Sequence, residues 1–193
     1  GDGRDDVFDY RSRSLDYTGI SFVRTPFPTV RVDFSFLGGG SFTQHAIGDF
    51  DGDGDLDIVL EDTSSFTPPA WIENLGNGNF RDVSATRMPT ARIRLTDWPI
   101  VPTDFDSDGD LDLLVFDTWT PGLSVMVNQG GGVFAAPDPT PFAGVTAQSL
   151  LGQADVDQDG DLDLWIDGAR LVLDQGTSYA LAAVQPLPTR NQA

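Results

Sequence analysis

The chain has 193 residues, of which 39% are hydrophobic, enough to build a core in one domain or in a repeat array. Its 30 acidic and 11 basic residues give a formal net charge of −19, which argues against a nucleic-acid partner, since nucleic-acid binding needs clustered basic residues. Cysteine is absent, which excludes disulfides and thiolate metal sites, and no apolar run has the length needed for membrane insertion.

The first ten residues, GDGRDDVFDY, contain part of an acidic loop that returns complete three times. Aligning Gly3 with the glycine of the complete copies places Asp2 and Asp6 at positions 5 and 9, and a strand then starts at Val7. Positions 1 and 3 would lie before the first residue, so we expect this partial site to bind a metal poorly by itself. The segment 14–22, SLDYTGISF, is interpreted as a second strand, a glycine turn and an aromatic residue.

Each complete loop follows a short predicted strand, within TQHAIGDF, WPIVPTDF or SLLGQADV. Loop 1 spans residues 49–57, loop 2 spans 104–112 and loop 3 spans 155–163. All three carry Asp at positions 1, 3, 5, 7 and 9 and Gly at position 6. The acids are Asp49, Asp51, Asp53, Asp55 and Asp57 in loop 1, Asp104, Asp106, Asp108, Asp110 and Asp112 in loop 2, and Asp155, Asp157, Asp159, Asp161 and Asp163 in loop 3.

Five carboxylates within nine residues repel one another unless a cation lies among them. Ca²⁺ accepts six to eight oxygen ligands in flexible geometry, whereas Mg²⁺ prefers few carboxylates and keeps its waters. The pattern therefore predicts three complete calcium sites and a fourth, partial one. The alternative is a solvated acidic turn, and three copies in one register argue against it. Because calcium loops fill where calcium is abundant, the pattern also favours an extracellular location.

The residues after each loop distinguish this pattern from an EF-hand. Position 12 is Leu60, Val115 or Ile166, where an EF-hand needs a bidentate Glu. The runs DIVL, DLLVF and DLWI are short and apolar, and they indicate buried strands. A second strand follows each run and ends in a glycine turn and an aromatic residue, in AWIENLGNGNF, SVMVNQGGGVF and RLVLDQGTSY.

The repeat period is 51, 55 and 51 residues, measured between Asp2, Asp53, Asp108 and Asp159. A period near 50 with four short strands per unit is typical of β-propeller blades. We therefore predict an all-β β-propeller of about four blades without an amphipathic helix. The predicted blade boundaries are 1–44, 45–98, 99–147 and 148–193.

The unit DFDGDGDLDIVL…WIENLGNGNF resembles the FG-GAP/VCBS repeat of integrin-α-like propellers and of related bacterial and fungal surface proteins. The resemblance extends to about Tyr179. It implies that the loop joins the first and second strands of a blade. It also implies that calcium is structural, bound by the side chains at positions 1, 3, 5 and 9 and the carbonyl of residue 7. Seven blades usually close such a ring. We therefore expect this chain to belong to a longer one, or to pack end to end with copies of itself.

Three functions stay open at this level. The first is a calcium-binding adhesion or carbohydrate- or protein-binding module, in which Trp71, Trp98 and Trp119 either stack on sugars or pack in the blades. The second is a purely structural unit of a longer array or fibre. The third is a non-catalytic domain of a polysaccharide-active enzyme. We expect no catalysis by this chain, because His45 is its only histidine and is assigned a packing role on the strand before loop 1.

Overall fold

In a computed structural model, the described residues are 6–9, 20–24, 30–32, 42–62, 69–90, 100–117, 122–147, 150–167, 170–176 and 178–182. They form four antiparallel sheets, two of three strands and two of four, which confirms the all-β prediction. The helical structure among these residues is limited to one α-helical turn and one 3₁₀ turn.

Sheet 1 consists of β1 (Asp6–Asp9), β2 (Ile20–Arg24) and β3 (Val30–Val32), paired in sequence order. Strand β2 begins directly after Gly19 and pairs with both β1 and β3. The interpretation of segment 14–22 as a strand followed by a glycine hairpin was therefore wrong, because the residues after Gly19 form the middle strand of the sheet. The sequence signal was a single glycine and a single aromatic residue, and it did not define the register.

Sheet 2 is a four-stranded meander of β4 (Phe42–Gly48), β5 (Asp57–Asp62), β6 (Ala70–Asn74) and β7 (Phe80–Asp82). The β6–β7 hairpin turns at Asn77 and Gly78, whose φ angles are 55° and 79°. This positive-φ pair is what the Asn-Gly sequence predicts. One helical turn, α1 (Ser84–Arg87), follows the sheet.

Sheet 3 contains β8 (Val101–Thr103), β9 (Asp112–Asp117) and β10 (Gly122–Met126). The triple glycine 130–132 again has positive φ throughout and reverses the chain. In place of a fourth strand, only two isolated bridges form, between Val125 and Asp138 and between Asn128 and Phe134. The connection continues through a 3₁₀ turn, Thr140–Phe142.

Sheet 4 has the predicted four strands, β11 (Leu150–Ala154), β12 (Asp163–Ile166), β13 (Arg170–Asp174) and β14 (Tyr179–Leu181). Strands β4, β8 and β11 each lead into an acidic loop, and β5, β9 and β12 leave it. The prediction that the loops join the first and second strands of each unit is thus confirmed.

Sheets 2 and 3 share one buried apolar cluster. It includes Val59 and Trp71 of sheet 2 with Leu113, Val115 and Met126 of sheet 3. Alternate residues of a strand point to opposite faces, so Leu113 and Val115 lie on one face of β9 while Leu114 lies on the other.

The opposite face of sheet 3 packs against sheet 4. Leu114 and Val125 of sheet 3 join Leu164, Ile166 and Val172 of sheet 4 in a second cluster. Sheet 3 is therefore covered on both faces, which explains the unbroken apolar run LLVF of β9. Consecutive sheets stacked face to face are the arrangement expected of propeller blades, and closure into a ring stays a prediction.

Candidate metal centres

Each acidic loop occupies the same place in its sheet, so the three loops are structurally equivalent. Position 1 follows the first strand directly in loops 1 to 3, and position 9 is the first residue of the second strand. Asp6, aligned with position 9, is likewise the first residue of β1, whereas Asp2 lies outside the described residues.

The carboxylate at position 1 organises the backbone of each loop. In loop 1, Asp49 accepts hydrogen bonds from the amides of Gly52, Asp53 and Gly54 at 2.9, 3.1 and 3.0 Å. In loop 2, Asp104 accepts from Asp108 and Gly109, both at 3.1 Å. In loop 3, Asp155 accepts from Gly160 at 3.3 Å. The loop thus wraps around its first acid, which brings the later carboxylates close to it.

Two residues of each loop adopt left-handed backbone conformations. Gly54, Gly109 and Gly160 at position 6 have φ of 90°, 94° and 104°. Position 4 is also left-handed, with φ of 76° at Gly52, 57° at Ser107 and 65° at Gln158. The sequence pattern identified position 6 but not position 4, where only loop 1 shows the glycine that favours such an angle.

The wrapped loops gather three carboxylates at each site. The ligand oxygens within each of these clusters lie within 4.8 Å of one another. The clusters are Asp49, Asp51 and Asp53 in loop 1, Asp104, Asp106 and Asp108 in loop 2, and Asp155, Asp157 and Asp163 in loop 3. Calcium–oxygen bonds measure about 2.3–2.6 Å, so oxygens on opposite sides of one ion lie up to about 5 Å apart. The spacing and the all-oxygen chemistry of these clusters fit a calcium ion.

The acids at position 7 are not members of these clusters. The Oδ2 atom of Asp55 lies 3.0 Å from where a Cβ on Gly76 would be, and that of Asp110 lies 3.8 Å from the same point on Gly130. Both side chains therefore point toward the glycine turn of their own sheet. This orientation agrees with the expectation that residue 7 offers its carbonyl, and Asp161 of loop 3 is likewise outside the cluster.

The acids at position 9 have a structural role that the sequence did not reveal. Asp57, Asp112 and Asp163 are completely buried. Asp57 accepts hydrogen bonds from the amides of Phe50 at 3.2 Å and Asn74 at 2.8 Å. Each of these acids thereby ties position 2 of its loop to a residue at the end of the third strand or just beyond it. Of the three, only Asp163 belongs to a carboxylate cluster.

The same tie is made in the other two loops. Asp112 accepts from Phe105 at 2.8 Å and Asn128 at 2.7 Å, and Asp163 accepts from Val156 at 2.8 Å and Asp174 at 3.0 Å. Burial raises the pKa of Asp57 to about 7 and that of Asp112 to about 6, although the backbone hydrogen bonds act in the opposite direction. Neighbouring loop carboxylates add to the rise. A bound cation would favour the ionised form of both groups.

A polar residue at the end of the third strand was also missed. Asn74 donates from Nδ2 to the carbonyl of Leu56 at 3.1 Å, and Asn128 donates to that of Leu111 at 3.2 Å. Both carbonyls belong to position 8 of the loop. Asp174 occupies the same place in sheet 4. The signal was present as Asn or Asp two residues before a glycine in all three hairpins.

An arginine side chain also binds to loop 1. Arg87 donates from Nη1 to Asp51 Oδ2 at 3.2 Å and to the carbonyl of Gly131 at 2.6 Å, and from Nη2 to Glu73 Oε1 at 3.2 Å. Its guanidinium carbon lies 4.7 Å from the ring centroid of Trp71. Arg87 comes from α1, so it links the acidic loop of sheet 2 to the glycine turn of sheet 3.

Burial decides between the two alternatives left open for Trp71. It is fully buried between sheets 2 and 3, so it packs in the core and offers no ring face to a sugar. His45 lies on β4 as expected, but its side chain is exposed rather than packed. Trp98 and Trp119 lie outside the described residues. Among the residues that are described, no helix is long and apolar enough to cross a membrane.

Comparison with known proteins identifies the repeat. No curated protein matches the chain. The family described as FG-GAP-like repeat matches at residues 49–115 and 104–166, two overlapping segments that together cover more than half of the 193 residues. Each match starts at position 1 of one acidic loop and runs through the next loop, so both include the carboxylate clusters. The chain belongs to the FG-GAP-like repeat family.

Proposed function

We propose that this chain is a calcium-stabilised part of a β-propeller that serves as an extracellular adhesion or carbohydrate- or protein-binding module. The observation that carries the proposal is the recurrence of one carboxylate cluster at the same place in three consecutive stacked sheets. Three carboxylates held this close in each loop repel one another, and a bound cation would offset that repulsion at all three places.

The proposed ligands are the side chains at positions 1, 3, 5 and 9 and the carbonyl at position 7. Positions 1, 3 and 5 meet in loops 1 and 2, and positions 1, 3 and 9 meet in loop 3. Together they supply more carboxylates than Mg²⁺ prefers, which supports Ca²⁺. The role of the ion is structural: it offsets the repulsion among five acids and holds the start of the second strand against the first.

The propeller part of the proposal is supported by the stacking of sheets 2, 3 and 4. Each buries apolar side chains against the next, and all three place their acidic loops between the first and second strands. A β-propeller repeats sheets of four strands around a central channel, and a period near 50 residues suits one such sheet.

An extracellular location and a non-catalytic role complete the proposal. Structural calcium loops remain filled where free calcium is abundant, as it is outside cells. The acids that would serve as general acids in glycoside hydrolysis are assigned to calcium here, which leaves them poorly suited to proton transfer. The net charge of −19 argues against nucleic acid as the partner and leaves proteins and glycans.

A structural role in a longer array is the second candidate, and one face of sheet 4 favours it. The faces of sheets 2 and 3 that point toward the following sheet are covered: Val59 and Trp71 of sheet 2 are 0% exposed, and Leu114 and Val125 of sheet 3 are 1% exposed. At the corresponding places of sheet 4, Trp165 and Leu171 are only half-buried. Such an apolar face suits a further sheet of the same kind, supplied by the rest of a longer chain or by another copy.

Calcium binding is tested by titrating the metal-free chain and by thermal unfolding. We expect three calcium ions to bind strongly. Ion binding to the folded state alone adds about 2.7 kcal/mol per site at a hundredfold excess over Kd, so chelation should lower the Tm by many degrees. Magnesium at the same concentration should restore much less. An unchanged melting curve in excess chelator would refute the metal assignment.

The binding role and the structural role are separated by two measurements. A screen of glycans and of extracellular matrix proteins, in calcium and in chelator, is expected to show calcium-dependent binding if the chain is a recognition module. Sedimentation at micromolar concentration is expected to show concentration-dependent association if the face of sheet 4 packs against other copies. A compact monomer that binds a ligand would favour the first function, and an oligomer without a ligand the second.

A further inference from the structure

Asn128 touches two acidic loops at once. Its side chain is fully buried, and its Nδ2 donates to the carbonyl of Phe50 at 2.8 Å and to the carbonyl of Leu111 at 3.2 Å. Phe50 is position 2 of loop 1, and Leu111 is position 8 of loop 2. Its Oδ1 accepts from the amide of Gly130 at 3.1 Å. One amide group, with both of its N–H bonds used, therefore joins two loops that are 61 residues apart in the sequence, from Phe50 to Leu111.

The two carbonyls lie next to proposed calcium ligands. Phe50 stands between the acids at positions 1 and 3 of loop 1, and Leu111 stands between positions 7 and 9 of loop 2. The backbone amide of Asn128 also donates to Asp112, the acid at position 9 of loop 2, at 2.7 Å. Asn128 thus fixes the backbone of loop 1 with its side chain and both the backbone and an acid of loop 2.

A second connection runs between loop 1 and the same glycine turn. Arg87 bonds to Asp51 at position 3 of loop 1 and to the carbonyl of Gly131. The backbone amide of Phe134 in turn donates to the carbonyl of Arg87 at 2.8 Å. Arg87 therefore connects loop 1 to the glycine turn that follows Asn128 in sheet 3, the sheet that contains loop 2.

The boundary between loops 2 and 3 lacks this donor. The residue equivalent to Asn128 in sheet 4 is Asp174, and an ionised carboxylate has no N–H to offer to the carbonyl of Phe105 at position 2 of loop 2. Asp174 keeps only the acceptor bond, from the backbone amide of Gly176 at 2.8 Å, which corresponds to the bond from Gly130 to Asn128. The 3₁₀ turn that begins at Thr140 is the counterpart of the helical turn that carries Arg87. Asp82 accepts a hydrogen bond from the backbone amide of Ser84, and Asp138 accepts the equivalent bond from Thr140. Counted from these caps, the place of Arg87 is taken by Ala143.

We propose that Asn128 is a positioning residue that couples the calcium sites of loops 1 and 2, so that an ion in one loop strengthens binding in the other, while loop 3 fills independently. This inference rests on the proposed calcium function and specifies its regulation. An ion in loop 2 fixes the Leu111 carbonyl and Asp112, which orders the amide of Asn128. Loop 1 then closes on a partner that is already in place, so its own ion binds with a smaller ordering cost.

The experiment measures calcium affinity loop by loop in the full chain, by competition with a chromophoric chelator. Loop 3 is disabled with Asp157→Ala, which removes a member of its carboxylate cluster, and the affinity of loop 1 is then compared with loop 2 intact and with loop 2 disabled by Asp108→Ala. The matched control measures the affinity of loop 3 with and without Asp108→Ala, in a chain whose loop 1 is disabled by Asp53→Ala. The control carries the same change of charge at the same neighbouring loop.

We expect disabling loop 2 to weaken calcium binding at loop 1 by at least about fivefold, the lower end of typical coupling between sites. In the control, the affinity of loop 3 with loop 2 intact, divided by its affinity with loop 2 disabled, should stay near one. With Asn128→Asp, which reproduces the residue that sheet 4 carries at this place, the ratio for loop 1 should fall to the control value. The added charge shifts both affinities in the ratio together, so the ratio still reports coupling, and near-ultraviolet circular dichroism verifies the fold of the variant.

Equal ratios for loops 1 and 3 in the unaltered background would overturn the proposal, without any reliance on the Asn128 variant. A ratio that survives Asn128→Asp would equally overturn the role of this residue. Independent calcium binding at all three loops would leave the proposed function standing and remove only the coupling. A chain that takes up no calcium at any loop would remove both.

Discussion

Gly132 of the sheet 3 turn lies directly against the indole of Trp71 in sheet 2. A Cβ built on Gly132 would lie 2.0 Å from Cη2 of Trp71, far closer than two carbon atoms approach. Trp71 also makes an edge-on contact with Phe134, with ring centroids 6.1 Å apart. The glycine turn of sheet 3 thus packs directly against the indole of Trp71 in sheet 2, and this contact limits how closely the two sheets can approach.

Gly132→Ala is therefore expected to destabilise the fold. The new methyl group must displace a fully buried ring, and overpacking of this kind costs about 1–3 kcal/mol in the free energy of unfolding. The control is Gly131→Ala, because Gly131 also has positive φ, 59° against 72°, yet has open space where its Cβ would lie. Both variants carry backbone strain, so the difference between their urea midpoints isolates the clash. Equal midpoints would show that Trp71 has room to move.

Arg87→Gln is expected to destabilise the contact between sheets 2 and 3. The guanidinium is bonded to Asp51, Glu73 and the Gly131 carbonyl, and it lies over Trp71. Its loss should lower the free energy of unfolding by about 1–3 kcal/mol, as expected for hydrogen bonds of charged, partly buried groups.

The control for that variant is Arg81→Gln. Arg81 also binds Glu73, with Nε 2.8 Å from Oε2, but its side chain is 57% exposed against 24% for Arg87. Exposed ion pairs contribute about 1 kcal/mol or less, so Arg81→Gln should cost less. Denaturant unfolding of both variants in calcium and in chelator measures the difference. A larger effect at Arg81 would contradict the assignment of Arg87 as the link between the sheets.

Substitutions within loop 2 should rank by position. Asp108→Ala removes a member of the carboxylate cluster and should weaken calcium binding at that loop by at least about tenfold, the scale on which even outer-shell partners act. Asp110→Ala should have a much smaller effect, since that side chain points toward Gly130. Gly109→Val should be as harmful as the loss of a ligand, because a β-branched residue resists the φ of 94° found there. Isothermal titration calorimetry would show the ranking, and equal affinities for the two alanine variants would mean that the loop register is wrong.

The stability of the calcium-free chain should fall as the pH rises from about 4 to about 7. In the folded state the pKa values of Asp57 and Asp112 are raised to about 7 and about 6 from 3.8, mainly by burial. Between these values the folded chain holds protons that the unfolded chain releases. The stabilisation is therefore complete below pH 3.8 and is lost as the pH passes through the folded pKa values, by at most about 1.4 kcal/mol per pH unit for each proton.

Calcium reverses this dependence, because the ion binds the ionised carboxylates and displaces the protons. We expect calcium affinity to rise with pH over the same interval and protons to be released on binding. Unfolding of the calcium-free chain at several pH values is compared with that of Asp57→Asn, in which one of the two titrating groups is absent and the slope should be smaller. An identical slope in the variant would show that Asp57 does not titrate in this range.

The sequence alone determined the elements whose information is local. The ligand pattern lies within nine consecutive residues, so the loop register, the left-handed glycine at position 6 and the strands on either side could all be predicted from it. The Asn77-Gly78 turn was predictable for the same reason. Where the local signal was weak, as in the segment 14–22, whose last three residues begin β2, the prediction of the register was wrong.

The tertiary structure decided the features that depend on which sheet faces which. The sequence left the role of Trp71 open because its burial depends on packing against sheet 3. Gly132, which contacts its ring, is 61 residues away in the chain. The bond from Asn74 to Asp57 and the bond from Arg87 to Asp51 likewise join residues that are 17 and 36 positions apart in the sequence. Asn128 gives the clearest case. Its carbonyl partner Phe50 is 78 residues earlier, and a side-chain amide forms that bond only because the apolar faces of two sheets, stacked against each other, bring loop 1 beside the turn of the next sheet.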